Sequence, residues 1–163
     1  MTSSRTQFIT ALEQTQLALV RLTSSLSAQA LDFRPSPDAW SIREILAHLV
    51  DDEMYVMRTR LERMIKEDFP LLAPHDEKLW YASRNTTRDK LAELLSDFSL
   101  QRTASLGIIT LLRESDWARQ GQQPEYGVFT AEEWLAHWVA HDTTHLQQIE
   151  SNVQAYHAQA PDE

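Results

Sequence analysis

The chain contains no cysteine, so it has no disulfide framework, no thiolate metal site and no cysteine nucleophile. That absence fits a reducing compartment. It has only three glycines, Gly107, Gly121 and Gly127. So low a count disfavours a turn-rich β fold and rules out a glycine-rich phosphate loop or dinucleotide fingerprint. No Lys/Arg cluster stands out, and the net charge is −9. A nucleic-acid partner or an anionic membrane surface would need a basic patch, so neither is expected. No apolar run approaches the ~20 residues that span a bilayer. The N-terminus is polar and leads straight into an amphipathic pattern, so no signal peptide is expected and the protein reads as cytoplasmic.

What is present is helical periodicity over a single domain, residues 1–163. A first helix is expected over about 4–27, with Phe8, Leu12, Leu19, Leu22 and Leu26 on one face. Pro35 and Pro37 keep the following segment from continuing it. Ser41-Ile42-Arg43-Glu44 is a capping box and opens a second helix over about 42–67, closed by Phe69-Pro70. A short extra helix is expected near 76–81. Residues 86–89 resemble a second cap and open a third helix to about 113. Gly121 to Gly127 reads as a loop. Thr130-Ala131-Glu132-Glu133 is a further capping box, and the last helix is expected over about 131–156. Four such helices, each ~35–40 Å long, can bury their apolar stripes only against one another. The expected fold is an all-α four-helix bundle.

Six histidines occur, three of them on the last helix: His137, His141 and His145. Each step of four residues turns about 40° round the wheel. Trp134, Trp138, Ile149, Val153 and Tyr156 define the buried arc. His141 and His145 fall in or beside it, whereas His137 lies at its polar margin. Two inward imidazoles one turn apart are either hydrogen-bonded core histidines or a two-pronged grip on a metal. His48, nearly two turns into the second helix, favours the metal, because facing helices of a bundle can share one site. Three protein ligands leave a coordination position open, the catalytic arrangement. Asp52, Asp142 and Asp51 are candidates for a fourth ligand, a base or an outer hydrogen-bond acceptor. Asp51 is read as a solvated surface charge, and His75 and His157 as exposed. Trp134 reads as core, and Trp40 as the apolar residue packed before the Ser41 cap. His141-Asp142-Thr143-Thr144-His145 departs from the zinc-protease pattern, with Asp in place of the general-base Glu and Ser151 where a third ligand would fall.

The stretch Trp40-Ser41-Ile42-Arg43-Glu44-Ile45-Leu46-Ala47-His48-Leu49 resembles the first signature of the DinB-like superfamily. His141-Asp142-Thr143-Thr144-His145-Leu146-Gln147-Gln148-Ile149 resembles its second. Ser115-Asp116-Trp117, Tyr126-Gly127 and the Thr130 cap match the layout between them. The resemblance implies a four-helix bundle, often dimeric, with one divalent metal, Zn or Ni, on His48, His141 and His145. It implies a metal-dependent enzyme acting on a small molecule. A low-molecular-weight thiol used in S-transfer is the reading preferred by analogy, with a metal-dependent hydrolase next. A non-catalytic metal-binding or sensing bundle is the third. The segment 121–126 carries no histidine where relatives often place one.

Overall fold

The computed structural model describes residues 3–159, and side chains from residue 5 onward. The ends of the expected 1–163 domain, with the first residues of the polar N-terminus, lie outside the described residues. Helix α1 is Ser3–Thr23 and α2 is the short Ala28–Asp32, so the first expected helix breaks at Thr23 and restarts on a Ser27 cap. Helix α3, Ile42–Asp52, runs through a π-helical turn, Glu53–Arg58, into α4, Thr59–Lys66. The Ser41 capping box is formed in both directions. Helix α5 is Glu77–Ala82, α6 is Leu91–Thr110 and α7 is Ala131–Gln159. The Thr130–Glu133 box opens α7.

Two boundaries differ from the sequence reading. Residues 86–88 form a separate 3-10 turn, and α6 starts at Leu91 with no side-chain cap. Asp89 does not cap a helix; it is buried in an ion pair with Arg84 at 3.0 Å. The expected loop at 121–127 is an antiparallel hairpin, β1 (Gln120–Gln123) and β2 (Gly127–Thr130). Gly127 takes φ 78°, which favours glycine at this turn. The backbone of 70–72 bonds to Gln122, which explains why a loop-like sequence becomes ordered strand.

The four long helices pack in a ring in which α1 touches α6 and α7, and α3 likewise touches both. Cross-links fix their directions. Arg5 meets Glu132 and Thr15 meets Asp142, so α1 and α7 are parallel. Arg43 meets the Asp89 backbone and Glu53 meets Arg102, so α3 and α6 are parallel. The long connection from residue 67 to 90 returns the chain the length of the bundle and supplies α5.

Two apolar clusters fill the core. One contains Leu12, Leu61, Met64, Trp134 and Trp138; the other contains Leu19, Ile45, Leu49, Phe98 and Ile149. Between them lies a polar layer centred on Arg102, which is fully buried. Its guanidinium donates to Glu53 at 2.9 and 2.8 Å, to Asp142 at 2.7 Å and to the Leu12 carbonyl at 2.8 Å. Trp138 Nε1 donates to Glu53 and Thr15 to Asp142. Such a layer tolerates burial because every charged member has partners.

Candidate metal centre

His48 comes from α3, and His141 and His145 from successive turns of α7. The Nε2 atom of His48 lies 3.2 Å from that of His141 and 3.0 Å from that of His145. A ring nitrogen carries either a proton or a lone pair, so one linear hydrogen bond serves only one of the two contacts at His48 Nε2. One metal ion would take all three lone pairs. Tetrahedral ligation at the usual zinc–nitrogen bond of ~2.0–2.1 Å separates ligand nitrogens by about 3.3 Å, close to the spacing here.

Behind the rings stand outer groups, in hydrogen-bond contact at His145 and farther off at His48 and His141. Gln148 Oε1 lies 3.0 Å from His145 Nδ1. Asp52 Oδ1 is 3.6 Å from His48 Nδ1, and Asp142 Oδ1 is 3.8 Å from His141 Nδ1. Such outer partners set ring orientation and tautomer. The indole of Trp40, the residue before the Ser41 cap, packs on His48 at 5.0 Å between centroids. Asn152 holds the Trp40 carbonyl at 2.8 Å, tying that loop to α7.

Asp52 stands among the histidines. Its Oδ2 is 3.5 Å from His141 Nε2, and its Oδ1 is 3.3 Å from His75 Nε2. It is 3% exposed, and Oδ1 has no hydrogen-bond partner; neither have the buried His75 Nε2 and His141 Nδ1. Asp52 Oδ1 and His75 Nε2 are orphaned side by side at the cavity, whereas His141 Nδ1 faces Asp142 behind its ring. An unpaired buried carboxylate oxygen beside the Nε2 cluster is what a site built for a cation would show. The charge balance agrees. The buried Arg102 guanidinium is taken by Glu53 and Asp142, which leaves Asp52, among the described residues, with imidazoles alone as its ion-pair partners.

The titration of the ligands follows from the same geometry. Burial pushes His48 down to about 3 and His145 down to about 4. Burial opposes His141 as well, but Asp142 and Asp52 outweigh it and raise this group to about 9. Burial works against the charge of Asp52 too, and the histidines around it outweigh that and hold its carboxyl below the usual range.

The site opens on a cavity of about 280 Å³, whose walls include Asp52, Met57, Arg60, His75, Trp134 and His141. The π turn helps to shape it. In an α-helix every fourth residue drifts by about 40°, whereas the wider turn keeps Asp52, Val56 and Arg60 nearer one line. The sequence reading of Trp134 holds in part: it is buried core, and it also walls the cavity.

Several expectations need correction. Asp51 is not a solvated charge; at 8% exposure it accepts from Trp80 Nε1 at 2.7 Å and pairs with Arg84, pinning α5 to α3. His75 is not exposed: the 67–76 segment, held against β1, brings it beside Asp52. Asp142, with one oxygen taken by Arg102 and Thr15, sits behind His141 and not in the cavity. His157 is exposed as expected, and His137 stays outside the cluster, stacked on Trp134 at 5.0 Å. Sequence reasoning gave no role to Gln148, His75, Glu77 or Arg60. Only Gln148 carried a signal, one turn beyond His145 within a quoted signature.

The sequence matches the DinB superfamily over residues 11–149, most of its length. The chain belongs to that superfamily. Among DinB-superfamily relatives, a "putative metal-dependent hydrolase" of Oceanobacillus iheyensis is 28% identical over 89% of this chain and 83% of its own. The protein YuaE of Bacillus subtilis is 25% identical over 76% of this chain and 83% of its own. The fold is that of YfiT from Bacillus subtilis, described as "a probable metal-dependent hydrolase with an unusual four-helix bundle topology". That structure aligns with a TM-score of 0.85 and 20% identity, covering 94% of this chain and 89% of YfiT. Among the described residues no helix is long and apolar enough to cross a membrane.

Proposed function

We propose that this DinB-superfamily member is a metal-dependent hydrolase of a small molecule, with a zinc or nickel ion on His48, His141 and His145. The observation that carries the reading is the convergence of three Nε2 atoms beside a buried carboxylate with one unbonded oxygen, in the wall of an open cavity. The descriptions of two relatives as metal-dependent hydrolases point the same way. A divalent metal held there supplies Lewis acidity, lowering the pKa of a water or thiol and polarising a carbonyl.

The chain's own residues do the rest. His48 and His145 stay neutral down to low pH, so their lone pairs are available as ligands. Gln148 fixes the tautomer of His145 by accepting from Nδ1–H. Asp52 stays ionised, and its free Oδ1 is the group placed to accept a proton from the attacking nucleophile. His75, 3.3 Å away and nearer solvent, is placed to carry that proton outward. Trp134 and Met57 exclude water from the inner wall.

The thiol S-transferase reading is kept as the second. With no cysteine in the chain, any thiol must arrive as a cosubstrate through the same cavity.

The test is elemental analysis of protein purified without a metal-binding tag, on wild type and His145→Ala. About one equivalent of metal in wild type, lost in the variant, is the expected result. Ester and amide panels are then assayed with and without low-molecular-weight thiols. Turnover without thiol supports hydrolysis, and turnover only with thiol supports the transferase. Absence of metal from both proteins, with no uptake on addition, overturns both.

A further inference from the structure

Among the described residues three arginines are buried: Arg5 and Arg60 at 7% exposure and Arg102 at 0%. Arg5 pairs with Glu114 and Glu132, and Arg102 pairs with Glu53 and Asp142. Arg60 pairs with no carboxylate. Its one protein hydrogen bond runs from Nη2 to the Ala73 carbonyl at 2.7 Å, and its guanidinium lies 5.2 Å from the Trp134 ring centre. The titratable groups that face it, Tyr126, Asp52, Glu125 and His137, form no ion pair with it. A buried cation without a counter-charge is costly in a folded protein. This one lies in the wall of the cavity that holds the histidines.

We propose that Arg60 binds the carboxylate of the small molecule whose reacting group lies at His48, His141 and His145. The inference rests on the metal reading above and adds to it a substrate class, a small carboxylic acid that reacts at its other end. The guanidinium is planar and presents paired donors that match a carboxylate on two bonds. A carboxylate is favoured over a dianionic phosphate because Asp52, Glu77 and Glu125 also line the cavity, and they repel a second negative charge more strongly. Burial lowers the pKa of Arg60, in keeping with a cation short of partners.

The spacing limits the ligand further. Arg60 lies over Trp134, and Trp134 and His141 are seven residues apart on α7, about 10 Å along the helix axis. The carboxylate and the reacting group must therefore be separated by a short chain. The cavity volume, about 280 Å³, admits a small metabolite and not a polymer.

The test uses the metal-loaded protein and the monohydroxamates of glutaric and adipic acids, which carry a metal-binding group at one end and a carboxylate at the other. Their neutral counterparts are hydroxamates of the same chain length. Binding is measured by titration calorimetry, with metal content determined on the same samples. Wild type should bind the carboxylate-bearing probes about tenfold or more tightly than the neutral ones. Arg60→Met, which keeps an aliphatic chain against Trp134, should lose that preference and keep its affinity for the neutral probes. Arg60→Lys retains a charge without the planar fork and should keep part of the preference.

Metal-loaded wild type that binds both kinds of probe equally overturns the inference and leaves the metal reading standing. So does a preference that survives unchanged in Arg60→Met, because Arg60 would then serve only to hold the Ala73 carbonyl. Protein that neither holds metal nor binds any hydroxamate overturns the metal reading, and this inference with it.

Discussion

Asp52 and Glu53 are neighbours in the chain and face two different interiors. Asp52 Oδ2 lies 3.5 Å from His141 Nε2 at the cavity, and Glu53 Oε1 accepts from Arg102 Nε at 2.9 Å within the core. Asp51, the residue before them, turns to a third direction and holds Trp80. Three consecutive carboxylates are thus all buried, each on its own side of one helix. The helix can do this because neighbours surround it: α7 and the cavity on one side, α6 on another, α5 on the third. The structural layer and the candidate metal site meet at this turn but use different side chains of it, Glu53 and Asp52.

Arg102→Ala should act on stability. It leaves Glu53 and Asp142 buried without their cation, a change that typically costs about 3–5 kcal/mol. Urea unfolding of the variant is expected to show that loss with no change in slope.

Gln148→Ala should act on the metal alone. Removing the acceptor behind His145 Nδ1 is expected to weaken metal affinity about 10- to 100-fold, as losses of such outer partners generally do. Competition with a chromophoric chelator measures it. Thermal stability of the metal-free variant should match that of metal-free wild type.

The metal-free protein should be most stable between roughly pH 6 and 7. Unfolded histidines protonate near 6.5, but folded His48 and His145 do so only at about 3 and 4. As pH falls below 6.5 the unfolded state binds more protons, and stability drops. His141 has the opposite sign: its folded value is raised to about 9, so the stability it adds is fully present below 6.5 and is lost as pH rises toward 9. Melting temperatures of chelator-treated protein from pH 4 to 9 test both arms. A monotonic profile would contradict the assignment of opposite shifts to these ligands.

Asp51→Ala should loosen the mouth of the cavity. Trp80 and Arg84 lose their shared acceptor, so α5 is released from α3 while the histidines keep their positions. Faster amide exchange confined to residues near 74–90 is the expected outcome, with metal content unchanged.

The bundle was legible in the sequence, and so were the three histidines that the structure brings together. Capping chemistry is local, so Ser41–Glu44 and Thr130–Glu133 announced their helices within four residues. Apolar periodicity then placed His141 and His145 inward, the position of His48 on the facing second helix added the third, and the two family signatures contain the same three residues. Tertiary structure alone decided the fate of the charges. Asp51, Asp52 and Glu53 look alike in sequence, and each is buried only because a partner far along the chain reaches it: Arg84, the α7 histidines and Arg102. The same holds for His75 and for the hairpin at 120–130, which are placed by backbone bonds between residues 70–72 and Gln122. Arg60 carries no signal in the sequence, and only Trp134, Ala73 and the cavity wall give it a place. Burial of a polar group depends on the whole packed environment, and no short window of sequence contains that environment.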